Sequence, residues 1–135
     1  MSAAATILVE TAPGELIDKI TILEIKTERM TDPAKLENVR YELGRLAAAR
    51  DSAIPRCSAP PELARLTADL KRVNEALWEV EDSIRDCERQ KDFGPTFIEL
   101  ARSVYRRNDE RMALKRRISE LLGSHLLEEK SYAPY

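Results

Sequence analysis

The chain has few of the residues that build metal sites, disulfide frameworks or tight β-turns. It contains one histidine, two cysteines and four glycines in 135 residues, and aromatic residues make up 5%. His125, Cys57 and Cys87 are too few and too scattered to ligate zinc or haem, so we predict no metal and no other cofactor. Both cysteines are expected to be free thiols.

Long hydrophobic runs are also missing. The longest uncharged stretch is the first nine residues, far shorter than the roughly 20 that a transmembrane helix needs. This stretch lacks the basic start and the long apolar core of a signal peptide. We therefore expect a soluble, cytoplasmic protein with no membrane insertion.

The chain has no excess of positive charge. Lys and Arg number 22 against 24 for Asp and Glu, so we expect no nucleic-acid partner. Charged residues make up 34% and hydrophobic residues 43%, which with so little glycine favours long amphipathic helices. The length suits one domain.

The spacing of apolar residues predicts four helices, near residues 12–30, 33–50, 61–91 and 96–123. The third should be the longest, because its apolar residues recur every three or four positions from Leu63 to Cys87. Thr11 and Asp32 are predicted to cap the first and second helices, and Gly123 to end the last.

The expected fold is all-α, an antiparallel four-helix bundle with one long central helix. It forms a single domain over residues 1–135. A short extended N-terminal arm covers 1–11, with a β-branched and apolar segment at 6–10. The bundle covers 12–123, and an irregular C-terminal tail covers 124–135.

Several polar side chains interrupt the apolar faces of these helices. They are Glu24 in the first helix, Asn74, Glu81 and Arg85 beside Trp78 in the third, and Asn108, Arg111 and Lys115 in the last. Antiparallel packing of the last two helices would bring their polar residues together. A buried cation needs an anion, so Arg111 is expected to pair with Glu81, Glu24 or a ligand.

These eight residues support two interpretations. In the first, they line a mid-bundle pocket that binds a small anionic molecule or partner group. In the second, they form an internal salt-bridge network that fixes helix register, and the chain is an interaction or scaffold protein that works through its arm and tail. A cavity that touches Arg111 favours the first interpretation, and full pairing of the inward charges favours the second.

A homodimer is also expected. A third helix of about eight turns is longer than its predicted partners. It would leave Leu63, Leu66 and Leu70 poorly covered in a monomer, and exposed apolar patches of this kind mark interfaces.

Two enzymatic alternatives remain open. Glu15-x-x-Asp18 and Glu79-x-x-Asp82 resemble the spacing with which all-α nucleotide pyrophosphatases hold magnesium. However, Asp18 and Glu79 are predicted to face outward. Whether the chain is an enzyme is left undecided at this point.

The second enzymatic alternative is a metal-free mutase. Helical chorismate mutases bind a dicarboxylate between arginine and lysine side chains, and this chain offers a similar set in Glu81, Arg85, Arg111 and Lys115. The sequence contains no nucleophilic triad and no phosphate-cradling glycine loop, which argues against most hydrolases and kinases.

Four separated segments resemble a known family. They are PGELIDKITILEIK (13–26), NEALWEVEDSIR (74–85), FIELARSVYRRNDER (97–111) and EEKSY (128–132). In this order they resemble an uncharacterised bacterial family of small all-helical proteins, domain of unknown function 6165. The second segment is also similar to another uncharacterised helical family, domain of unknown function 4254. The first resemblance implies a helical fold without a known activity, and the second implies a link to cell-surface polysaccharide metabolism.

Overall fold

The computed structural model describes residues 5–135 and contains four α-helices. They are α1 (Pro13–Arg29), α2 (Pro33–Ala53), α3 (Glu62–Gln90) and α4 (Pro95–Leu121), with a short 3-10 turn at Arg56–Ser58. The all-α fold is confirmed, and α3 is the longest helix with 29 residues against 27 for α4. Part of the predicted arm, residues 1–4, lies outside the described residues. Within residues 5–135, no helix is both long and apolar enough to cross a membrane.

Two of the three predicted helix ends are confirmed. The Asp32 carboxylate accepts a hydrogen bond from the Ala34 amide at 3.0 Å at the start of α2. Gly123 has a φ of 69°, and the Ser124 amide bonds back to the Ser119 carbonyl at 2.9 Å, which closes α4 as a Schellman motif.

The predicted cap at Thr11 is wrong. Pro13 occupies the first turn of α1, so the cap position falls on Ala12, which has no side-chain oxygen to offer. The Gly14 amide instead donates to the Ser119 hydroxyl of α4 at 3.0 Å. A contact between two helices therefore satisfies one of the amides that a local cap would otherwise satisfy.

The four helices pack as an antiparallel bundle in which α1 contacts each of the other three. The hairpin of α3 and α4 is the most extensive pair, whereas α2 packs mainly against α1. The apolar core lies between α1, α3 and α4, and its fully buried members are Ile17, Leu66, Leu70 and Ile118.

Two predictions about solvent exposure are wrong, because α1, α3 and α4 contact one another over more than one stripe per helix. Leu66 and Leu70 are 1% and 0% exposed, and Leu63 packs against the same cluster, so these leucines are not left uncovered as the dimer argument required. Asp18 does not face outward but is 1% exposed, since α1 is buried on more than one side.

Candidate functional site

A buried ion pair joins α1 to α4 near the centre of the bundle. Arg111 donates from Nε to Oδ1 of Asp18 at 2.9 Å and from Nη2 to Oδ2 at 2.6 Å. Bidentate hydrogen bonds between a guanidinium and a carboxylate are among the strongest between side chains. The prediction that Arg111 pairs with Glu81 or Glu24 is therefore wrong. The partner lies on the side of α1 that the sequence pattern assigned to solvent.

Two uncharged side chains complete the surroundings of Asp18. The Asn74 amide of α3 donates to Oδ1 of Asp18 at 3.0 Å and to Oγ1 of Thr21 at 2.9 Å. The Thr21 hydroxyl donates to the backbone carbonyl of Asp18 at 2.7 Å. Within residues 5–135, every buried side-chain nitrogen and oxygen has a hydrogen-bond partner. The network is thus closed on its buried side.

An open cleft of about 480 Å³ lies beside this pair, between α1, α3 and α4. Its apolar lining comes from Ile22, Ile25, Leu77 and Trp78, and its polar lining from Asn74, Glu81, Asp82, Arg85, Asn108 and Arg111. The structure therefore brings six of the eight sequence-predicted residues to one cleft. Its volume lies within the roughly 300–1,000 Å³ that small-molecule sites occupy.

Arg111 has one nitrogen left for a ligand. Its Nε and Nη2 are held by Asp18, while Nη1 makes only a long bond of 3.5 Å to Oδ1 of Asn108. The Arg111 side chain keeps 29% of its surface exposed, although its partner is buried. Asp18 thus holds one edge of the guanidinium, and the other edge is available to a ligand.

The remaining charges of the cleft are solvated. Glu81 and Arg85 form an i,i+4 pair at 3.5 Å, with 51% and 71% of their side chains exposed. Asp82 lines the same cleft and is exposed, and no ion pair engages it within residues 5–135. The cleft therefore offers both hydrogen-bond donors and acceptors.

Glu24 and Lys115 do not join the other six predicted residues in this cleft. Glu24 is half-buried and pairs with Lys71 of α3 at 3.4 Å. Lys115 pairs with Glu15 at 2.7 Å and with Glu128 of the tail at 3.4 Å. Lys115 instead borders a second polar cleft of about 250 Å³, which shares Asn108 and Arg111 with the first.

Both cations on the buried side of α4 are stabilised in their charged form. The hydrogen bond to Asp18 raises the pKa of Arg111, against a smaller opposing effect of burial. Burial lowers the pKa of Lys115, but the bond to Glu15 and the nearby carboxylates together outweigh it and leave that pKa raised. Arg111 and Lys115 therefore remain charged at neutral pH.

Three of the four carboxylates proposed to bind magnesium are paired with cations, and Asp82 is the exception among the described residues. Glu15 contacts Lys115, Asp18 contacts Arg111, and the exposed Glu79 contacts Arg29. Over the described residues 5–135, no group of three or more His, Cys, Asp or Glu side chains is placed to hold a metal ion. The four residues of the mutase-like set are also divided between the two clefts. Glu81 and Arg85 line the first cleft, Lys115 borders the second, and Arg111 borders both.

Sequence reasoning missed Asp18 and Thr21 as members of the site. The signal is a second stripe on α1, in which Gly14, Asp18, Thr21 and Ile25 follow spacings of four, three and four. All four residues are buried. Stripes with this spacing share a helix face, and a small or polar stripe beside an apolar one marks a helix with several neighbours.

The comparisons with known proteins give a family and no function. No curated protein and no solved structure matches the chain. One family model matches residues 7–134, and its description is "Family of unknown function (DUF6165)". Since the match covers nearly the whole sequence, the chain belongs to this family of unknown function.

Proposed function

We propose that the protein binds a small carboxylate ligand in the cleft between α1, α3 and α4. The observation that carries this proposal is the divided role of Arg111. Asp18 anchors two of its nitrogens, and Nη1 makes only a 3.5 Å bond to Asn108, which lines the same cleft. An anchored guanidinium loses little side-chain freedom when it meets an anion, which favours binding.

The charge balance of the cleft disfavours a ligand with more than one negative charge. Arg85 and Arg111 face two carboxylates on the lining, Glu81 and Asp82, and Asp18 lies behind Arg111. A phosphate dianion or a nucleotide would meet too little positive charge. A single carboxylate can still be bound by Nη1 of Arg111 and the Asn108 amide.

The rest of the lining favours a ligand that also carries hydrogen-bond donors. Hydroxyl or amino groups can donate to Glu81 and Asp82, and the Trp78 ring offers an apolar face for a sugar ring or another flat group. A hydroxylated or amino-substituted carboxylate meets all of these requirements. A role in cell-surface polysaccharide metabolism stays part of this proposal and depends on the ligand being a sugar acid.

Trp78 provides a direct assay, because it is the only tryptophan in the chain and it lines the cleft. Glucuronate should change its fluorescence and raise the melting temperature, whereas glucose and glucose 1-phosphate should do so far less. Arg85→Gln and Asn108→Asp should weaken the response to glucuronate. Arg102→Gln, an exposed change elsewhere on α4, should leave it unaltered.

The proposal fails if neither glucuronate nor an amino acid changes Trp78 fluorescence at millimolar concentration. It also fails if Asn108→Asp binds glucuronate as well as the wild type does. Asp82→Asn removes one of the lining's negative charges, so it should narrow the preference for glucuronate over glucose 1-phosphate.

The interaction-protein interpretation remains a second candidate. Every buried polar atom of the described network has a partner, as a purely structural network requires, and the arm and tail are exposed. The two interpretations are compatible, since the same pair can fix helix register and present one nitrogen to a ligand. We also propose a cytoplasmic location and a homodimeric state for this protein.

A further inference from the structure

The segment before α1 exposes three apolar side chains in succession. Ile7, Leu8 and Val9 are 84%, 90% and 76% exposed, and they lie in a stretch without regular secondary structure over residues 5–12. Single exposed apolar residues are ordinary, but a consecutive β-prone run is typical of a segment that pairs or docks. The run ends at Glu10, which has no ion pair within the described residues 5–135.

An apolar groove of about 630 Å³ lies on another side of the bundle. It exists because α2 leans on α1 and leaves a gap beside α3 that the loop at 54–61 only partly fills. Small side chains of α3 keep the gap open. The apolar lining includes Ile54, Ala59, Pro60, Leu63, Ala64 and Ala68.

One cation on the rim of this groove has no ion-pair partner among the described residues. Arg50 pairs with Asp51, and Lys71 pairs with Glu24 and Glu28. Arg56, on the 3-10 turn, is exposed and forms no ion pair within residues 5–135. An apolar groove with one free cation is thus complementary to an apolar arm that ends in one free carboxylate.

We infer that the arm of one copy docks in this groove of a second copy, with Glu10 beside Arg56. Reciprocal exchange of two arms gives a closed two-fold dimer. Residues 5–12 would span about 26 Å if fully extended, which exceeds the roughly 10 Å of α1 between Ile17 and Glu24 that borders the groove.

The arm does not occupy the groove of its own chain, because Ile7, Leu8 and Val9 remain exposed and do not line it. Ala12 has φ −69° and ψ 145°, the extended conformation that Pro13 imposes on the residue before it. Pro13 restricts the backbone at this position, and the exposed arm is available to the groove of a second copy.

Sedimentation velocity across micromolar concentrations tests the interface. The wild type should dimerise, and Leu8→Asp in the arm should raise the dimer dissociation constant by at least about tenfold, or ~1.4 kcal/mol. Ala68→Glu in the groove should have a similar effect. Ile98→Asp, which alters an apolar side chain 53% exposed near the turn between α3 and α4, should leave the dimer intact.

Charge exchange gives the sharper result. Glu10→Arg and Arg56→Glu should each weaken the dimer, and the double variant should recover it. Cys57 follows Arg56 and is exposed, so Glu10→Cys should form an intermolecular disulfide with it under mild oxidation. This product should be absent when Cys57→Ser is added.

Three outcomes would overturn the inference. The first is a wild type that stays monomeric at every concentration. The second is a dimer that Leu8→Asp does not weaken, or that Ile98→Asp dissociates. The third is a disulfide between positions 10 and 57 that forms within one chain, which would place the arm in its own groove.

Discussion

Asp18–Arg111 and Glu81–Arg85 combine the same two charged groups in opposite surroundings. The first pair joins two helices across 93 positions of sequence, with bonds of 2.9 and 2.6 Å and a carboxylate that is 1% exposed. The second lies along one helix at 3.5 Å, with both side chains more than half exposed. The helical spacing makes the second pair visible in the sequence, although solvated pairs contribute little to stability.

Breaking the buried pair should have the largest effect. Arg111→Met should lower the free energy of unfolding by about 3–5 kcal/mol, because it leaves the buried Asp18 carboxylate without its cation. Urea denaturation measures this loss. Adding Asp18→Leu should recover much of it, since an apolar pair of similar volume needs no compensating charge. A single variant that unfolds like the wild type would show that Asp18 is hydrated in solution.

Gly14→Ala should have the next largest effect, because Gly14 sets the distance between α1 and α4. A Cβ at this position would lie 2.1 Å from the backbone oxygen of Lys115 and 2.8 Å from Oγ of Ser119. The helices must separate one turn from Asp18, at a cost of about 1–3 kcal/mol. Gly44→Ala is the control, since nothing lies within 4 Å of its Cβ, and it should stabilise α2 by roughly 0.5–1 kcal/mol. Thermal and urea unfolding of both variants test the contrast.

Raising the pH should remove the contribution of Lys115 to stability but not that of Arg111. Burial disfavours the charged form of Lys115, but the bond to Glu15 and nearby carboxylates raise its pKa overall. Its contribution is therefore fully present below the unfolded pKa of about 10.4 and is lost as pH rises through the higher folded value. Lys115→Arg keeps the charge and should remove this loss, which should stay below about 1 kcal/mol because Glu15 is partly solvated. If the free energies of unfolding of the wild type and of Lys115→Arg change equally from pH 9 to 12, this assignment is wrong.

The exposed pair should show the smallest effect. Glu81→Ala and Arg85→Ala should each change the free energy of unfolding by less than about 0.5 kcal/mol, since water replaces the lost partner. Urea unfolding of both variants should overlay on the wild type. A loss of more than about 1 kcal/mol from either variant would mean that the cleft is less open in solution than in the structure.

The sequence predicts the helices and most of the cleft because both depend on local patterns. The helical spacing in α3 and the Asp32-Pro33 break locate the elements, and antiparallel packing brings Arg111 near Asn74 and Trp78. The true partner of Arg111 is not predicted, because a helical-wheel projection assigns a single buried stripe to each helix. α1 has three neighbouring helices, so Asp18 is buried on a side that this projection assigns to solvent.

We expect that Asp18 anchors Arg111 strongly enough to hold the guanidinium in place beside the cleft. A double-mutant cycle on Asp18→Leu and Arg111→Met, measured by urea unfolding, gives the coupling energy directly. We expect a coupling of at least about 2 kcal/mol, against less than about 0.5 kcal/mol for the same cycle on Glu81→Ala and Arg85→Ala. Equal coupling in the two cycles would contradict this expectation.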